Sequence, residues 1–317
     1  MGLLLGGTLQ QAGVEVLFLG REVLLAPLRS GLCLRRRRKI EQTGPLKTVS
    51  TLAEAVRRGP FHYTLVTFKS FHNAQAIPLA GQITSKTLVV VQNGLGNEEA
   101  FQQAGLPVIG AALTCSVRFG EPGVLQVGRG GLGLAPGNIS ADLAAAFQKG
   151  GLATRLYPSW PAMKASKWLL NVLGNPLAAA LEMPPEQYLA TEAGFHLERI
   201  LLREGLSLLR SLDLPLVNLP GFPVRALPLF LHMPREAWRR ILGQGRGGKL
   251  PSFLLDLHAG RPLEDEALLG VPLRLGREHG LSLPLLALLE RLLSSSSPTV
   301  PSFHSDPQRL LESYLTT

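Results

Sequence analysis

The stretch Met1–Arg21, MGLLLGGTLQQAGVEVLFLGR, decides how the first half of the chain is read. Residues 2–13 have the pattern of an amphipathic helix closed by Gly13, and residues 14–20 that of a buried strand ending at Arg21. A helix feeding a strand in this way normally follows an earlier strand and a glycine-rich turn. The expectation is therefore a parallel α/β domain whose first strand and turn are missing, with Met1–Arg21 as the helix and strand that would follow them.

Working outward, helical and strand-like segments alternate. Residues 51–59 read as a short helix, 63–68 as a strand, 72–83 as a helix and 86–93 as a third apolar run. Residues 97–105 form a helix closed by Gly105, and 107–113 another strand. Continuous apolar strands between helices imply a parallel sheet covered on both faces. Gly123–Gly137, rich in glycine with alternating apolar residues, reads as an antiparallel hairpin. From about Ser159 the period becomes helical, in 160–174, 194–212, 251–260 and 266–280. The expected division is an α/β domain over 1–155, a helical domain over 156–293 and a flexible tail over 294–317.

Bulk properties narrow the class. The chain has 317 residues, 45% of them hydrophobic and 17% charged, which suits a packed globular protein and not a disordered one. No apolar run reaches the ~18 residues of a membrane span, and residues 1–20 lack the basic start of a secretory signal. Two cysteines and scattered histidines offer neither a disulfide framework nor metal-ligand spacing. A cytoplasmic protein with no metal and no membrane association is expected. The net charge of +9 is concentrated in RRRRK, Arg35–Lys39, which lacks interleaved aromatic residues and reads as a solvated loop, not a nucleic-acid surface.

Several polar residues stand where chemistry would be placed. In a dinucleotide-binding unit, the last glycine of the fingerprint opens the helix, and a residue ending the second strand reads the ribose. Gly2 and Arg21 hold those positions, and an arginine there suits a 2′-phosphate. Lys69 and Asn93 each follow an apolar strand at its carboxyl end, where open α/β sheets bind ligands. Asn93-Gly94 can equally be an ordinary turn.

The most informative stretch is KASKWLLNVLGNPLAAAL, Lys164–Leu181. Lys167, Asn171 and Asn175 recur every fourth residue along one helix face, among apolar neighbours. Polar groups in such a setting need partners, and a desolvated lysine is pushed toward a pKa at which it donates a proton. The bland alternative is a solvated Lys167 with Lys164 as its exposed companion. Pro176 must interrupt the helix. Ser252 and Asp256 lie one turn apart, and Glu264 follows at what reads as a helix start.

With these residues in hand, the chain resembles the ketopantoate reductase (2-dehydropantoate 2-reductase) family from Met1 to about Leu293. The resemblance rests on the order and spacing of QNGLGNEE (92–99), KWLLNVLGNPL (167–177), SFLLDLHAGRPLE (252–264) and RLGREHGLSLPLL (274–286). It implies a Rossmann-like NADP-binding domain followed by an all-helical, 6-phosphogluconate-dehydrogenase-like domain, and reduction of an α-keto acid by NADPH. It further implies Lys167 as proton donor, Asn93 and Glu264 as catalytic residues that also face the cofactor, and Asn171, Asn175 and Ser252 as substrate ligands. Gly2, Arg21 and Lys69 would be what remains of the NADP site. A small keto acid as partner and a possible homodimer follow from the same likeness. Ala178, Pro185 and Lys249 stand where the family usually has Thr, Asn and Asn, which bears on the substrate. The alternative is a non-catalytic, binding-only member lacking the glycine turn.

Overall fold

A computed structural model describes residues 1–36, 39–121, 123–243, 250–294 and 305–316. It divides into two compact units. The first comprises Met1–Gln92, Asn97–Lys164 and Asn218–Phe222; the second comprises Asn93–Gly96, Ala165–Val217 and Pro223–Thr317.

In the first unit, helix α1 (Gly2–Gln11) leads to strand β1 (Leu17–Leu19) and the short α2 (Glu22–Leu25). Strands β2 (Cys33–Arg36), β3 (Lys39–Gln42) and β4 (Lys47–Val49) follow, then α3 (Leu52–Arg58) and β5 (Phe61–Val66). Next come α4 (Asn73–Ile83), β6 (Thr84–Val90), α5 (Asn97–Gln103) and β7 (Val108–Leu113). The unit continues with β8 (Val117–Glu121), β9 (Val124–Val127), β10 (Leu132–Ala135), α6 (Ala141–Lys149) and β11 (Thr154–Leu156). Strands β5, β6 and β7 are parallel neighbours, extended by β10 and β11 into a five-stranded sheet. Strands β1 and β4 form a separate parallel pair. The expected parallel sheet is thus present in two pieces, and a cavity of about 1350 Å³ is lined by both β1 and β5.

The core explains why these segments fold as they do. β7 is buried along its whole length, as a strand covered on both faces must be. Leu4, Leu5 and Leu9 of α1 pack with Leu34, Ile109 and Phe147. Thr51 and Glu54 form a capping box that starts α3. Tyr63 of β5 donates its hydroxyl to Asp142 of α6 at 2.7 and 2.8 Å. Burial first, and the carboxylate second, push this phenol up to about 12. In an ultraviolet titration, the Tyr63→Phe difference should isolate one tyrosine ionising near that value, and Asp142→Asn should move its midpoint back toward the ordinary tyrosine range.

Three expectations are corrected. The basic cluster Arg35–Lys39, expected as a solvated loop, lies largely in the antiparallel pair β2–β3, with 37 and 38 outside the described residues. Arg36 points inward, donating to Thr8 Oγ1 (2.6 Å), the Gly150 carbonyl (2.7 Å) and Glu41 (3.0 Å). Its charge therefore joins sheet to helices instead of facing solvent. Gly123–Gly137 is not a hairpin. β9 pairs with β8 and β2, whereas β10 pairs with β7 and β11, because the glycine-rich link carries the chain from one sheet to the other.

The second unit is helical. Its principal elements are α7 (Trp160–Val172, whose first residues belong to the first unit), α8 (Pro176–Ala180), α9 (Pro185–Tyr188) and α10 (Glu192–Ser211). They are followed by α11 (Arg235–Trp238), α12 (Ser252–His258), α13 (Val271–Glu278), α14 (Pro284–Leu293) and α15 (Pro307–Leu315). The third correction is α15, which falls in the segment expected as a flexible tail. Asp306 caps its start by accepting from the Arg309 amide at 3.0 Å, and Leu310 is fully buried. Its apolar stripe is held against α10 and α14. Residues 295–304 lie outside the described residues, as does Lys249. No helix of the described residues is long and apolar enough to cross a membrane.

Candidate functional site

The polar face expected on α7 is built differently from one continuous helix. Helix α7 ends at Val172, and Pro176 opens α8, where a missing amide costs nothing and the ring presets the helical φ. Asn175 sits just before that proline, and its side chain still reaches back along α7. Lys167 Nζ donates to Asn171 Oδ1 at 2.8 Å, and Asn175 Nδ2 donates to the Asn171 carbonyl at 2.7 Å. The same Asn175 receives Ser252 Oγ at 3.0 Å and the Phe253 amide at 3.4 Å on its Oδ1. The amide of a buried asparagine thus ties the end of α7 to the start of α12, satisfying donors that the first turn of α12 leaves open. Lys167, Asn171, Asn175 and Ser252 are one hydrogen-bonded chain, with Lys167 half-buried at one end and Ser252 exposed at the other.

A second strand of contacts brings Asn93 and Glu264 to the same unit. Glu264 is buried and precedes a π-helical turn, Glu266–Gly270. The loop Asn93–Gly96 lies against that turn, with the Leu95 amide donating to the Ala267 carbonyl at 2.9 Å. One residue further on, the Leu268 carbonyl receives Trp168 Nε1 at 2.8 Å. The indole of Trp168, next to Lys167, and the loop that carries Asn93 are therefore fastened to adjacent carbonyls of one turn, those of Leu268 and Ala267. Close approach makes this loop depend on glycine. Gly94 has φ +88°, and a Cβ there would lie 2.4 Å from the Ala267 carbonyl oxygen. Gly94→Ala should cost ~1–3 kcal/mol through strain and remove hydrogen-exchange protection from the Leu95 amide.

The first unit holds Gly2, Arg21 and Lys69. Gly2 opens the ten-residue α1, and a Cβ on it would come within 2.7 Å of Thr67 Oγ1, so the helix start is pressed onto the carboxyl end of β5. Lys69, two residues on, is near enough that it adds to burial in lowering the Met1 amine. Arg21 follows β1 at its carboxyl end and is exposed.

The sequence reading missed the support behind the Asn93 loop. Lys164, offered there as a possible exposed lysine, is only 3% exposed and forms an ion pair with Glu98 at 2.8 Å. It also donates to the carbonyls of Gln92 (2.5 Å) and Ala111 (3.3 Å). Burial pushes the Glu98 carboxyl above its ordinary value, with the Lys164 ammonium pulling the other way. Asn73 closes the arrangement, accepting from Gln92 (2.7 Å) and donating to Asn97 (2.9 Å). Gln92 and Asn97 flank the Asn93 loop, so both its ends are pinned within the first unit. Polar residues on either side of a glycine-rich turn were the available signal; their partner on α7 was not legible, since it lies far away in sequence.

Comparison with known proteins agrees with this architecture. Residues 1–137 match the family model described as "Ketopantoate reductase PanE/ApbA", and residues 160–296 match its C-terminal counterpart. A 2-dehydropantoate 2-reductase of Pyrococcus horikoshii is 29% identical over 190 residues, which is 58% of this chain and 62% of that protein's length. The crystal structure of 2-dehydropantoate 2-reductase from Geobacter metallireducens GS-15 superposes with a TM-score of 0.79 at 26% identity, covering 93% of this chain and 96% of that one. A ternary structure of D-mandelate dehydrogenase with NADH and anilino(oxo)acetate shares the fold, with a TM-score of 0.75 at 16% identity over 99% of this chain and 96% of that one. With the two models end to end along most of its length, and a solved reductase sharing both its α/β and its helical parts, the chain belongs to the ketopantoate reductase family.

Proposed function

We propose that this chain reduces an α-keto acid of the 2-dehydropantoate type to its hydroxy acid with NADPH, and that Lys167 is the proton donor. The observation that carries the reading is the Lys167 ammonium, half-buried and held by Asn171 Oδ1 at 2.8 Å on a helix whose next residue is locked by Trp168 Nε1. An ammonium fixed in this way stabilises a developing alkoxide more than the ketone it came from. Lys167 would give its proton to that oxygen, and Asn171 would hold the amine in place before and after transfer. Ser252, already oriented by Asn175, would hydrogen-bond the substrate carboxylate or hydroxyl together with Asn171, while Asn93 and Glu264 would orient the reacting groups.

The residues present fit a phosphate-bearing dinucleotide. Gly2 at the positive end of α1, its tight approach to Thr67 and the nearby Lys69 suit phosphate. Arg21 suits a 2′-phosphate better than a ribose hydroxyl. When bound, the reduced dinucleotide supplies hydride to the keto carbon.

NADPH oxidation should be followed with 2-dehydropantoate and with a bulkier aryl keto acid. Turnover with the first, and a shift toward NADH in Arg21→Asp, is the expected outcome. Failure to consume NADPH with any keto acid would favour the binding-only reading. That second reading draws on the parallel sheet being in two pieces next to the helix that would carry the phosphates.

A further inference from the structure

We propose that Trp168 is a positioning residue for the reduction, a buried indole that sets the direction of Lys167 and the seat of the Asn93 loop through one shared π-helical turn. The inference rests on the keto-acid reading and adds to it a side chain that lies wholly inside the helical unit. Trp168 is 0% exposed although it adjoins the half-buried Lys167. Its six-membered ring lies along α10, where a Cβ built on Gly205 would stand 3.6 Å away. Its Nε1 donates to the Leu268 carbonyl at 2.8 Å. A phenyl ring or an isobutyl group would also fill this core; what the indole adds is one directed donor.

The donor meets a particular turn. A π-helical stretch widens the helix locally and is often found at functional sites. In Glu266–Gly270, two successive carbonyls accept from outside the turn, Ala267 from the Leu95 amide at 2.9 Å and Leu268 from the indole. The Asn93 loop is pressed onto the same stretch at both of its glycines. A Cβ on Gly94 would lie 2.4 Å from the Ala267 carbonyl oxygen, and one on Gly96 3.3 Å from Val271. All of these residues belong to the second unit. Lys167 and Asn93, which carry separate roles, thus take their positions from one piece of backbone.

The size of the effect follows from leverage. Apolar packing is non-directional, so without the hydrogen bond the core stays filled while α7 gains freedom to turn about its axis. Side-chain tips stand about 5–6 Å from a helix axis, so a rotation of about 10° moves the Lys167 ammonium by ~1 Å. Misplacement on that scale can cost about 10²-fold in rate.

The test uses the full chain with benzothienylalanine at position 168, in which sulfur replaces the indole N–H at nearly unchanged shape, beside Trp168→Phe. Reduction of 2-dehydropantoate by NADPH is measured where each variant is fully folded, and hydrogen exchange at the Leu95 amide is measured without substrate. Both variants should lower kcat about 10–100-fold, change KM less than about threefold, and speed Leu95 exchange at least about tenfold. In a Lys167→Ala background the same replacements should cost less than about fivefold, the share of the loop alone, since aiming an absent group has no effect. Parent-like kcat in the isostere, an equal loss in the Lys167→Ala background, or unchanged Leu95 exchange would each overturn the proposal. A parent chain that consumes no NADPH with any keto acid would instead defeat the keto-acid reading, and Leu95 exchange alone would then decide whether the indole holds the loop.

Discussion

Lys167→Ala should lower kcat for keto-acid reduction by about 10²–10⁴-fold, the usual contribution of a positioned acid, while the unfolding midpoint changes little. The lysine is half-buried on the face of α7, not in the packed core, and is hydrogen-bonded to a neighbour on its own helix. The loss should appear in kcat more than in KM, since the ammonium acts chiefly on charge that develops in the transition state. Lys167→Arg should not restore activity. A guanidinium keeps the charge but does not release a proton near neutral pH, and its planar fork does not reproduce the geometry of the ammonium's contact to Asn171. Unchanged turnover in Lys167→Ala would remove this residue from the mechanism. Parallel measurement of Asn171→Ala separates donor from support: its loss should be smaller and should be accompanied by an altered pH profile.

Breaking the other lysine should have the opposite signature. Lys164→Met leaves the Glu98 carboxylate at 1% exposure without its cation, and the expected cost is ~3–5 kcal/mol. The carbonyls of Gln92 and Ala111 lose their shared donor at the same time. Combining Lys164→Met with Glu98→Leu should recover part of that stability, because an apolar pair of similar volume often replaces a buried ion pair at little cost, while the two carbonyls stay without their donor. Thermal melts, with hydrogen exchange over residues 92–98, distinguish the two variants. If Lys164→Met alone melts like the parent, the pair is not what holds the Asn93 loop.

These two lysines, three residues apart, show where sequence reading succeeds and where it stops. Lys167 was legible because an every-fourth-residue pattern of Lys, Asn and Asn on an apolar helix is costly without a purpose, whatever surrounds it. Lys164 was not, because a single lysine on such a helix is solvated unless something distant covers it. Glu98 and the Gln92 carbonyl do so from a turn more than sixty residues earlier in the chain. The same limit applies to Arg36. A basic run resembles a loop until Thr8, Glu41 and Gly150 converge on one guanidinium. Gly123–Gly137 was read as a local hairpin for a related reason: alternation reveals strands but not which strands they join.

Local periodicity was enough to read the alternation of helices with the apolar strands β1, β5, β6 and β7, the predominance of helices in the second half, and the polar face of α7. Those properties depend on neighbours within a turn or two. Tertiary structure decided which strands pair, how Asn175 ties α7 to α12, and that Lys164 is buried against Glu98. Pairing and burial are set by residues distant in sequence, so no window along the chain contains the information.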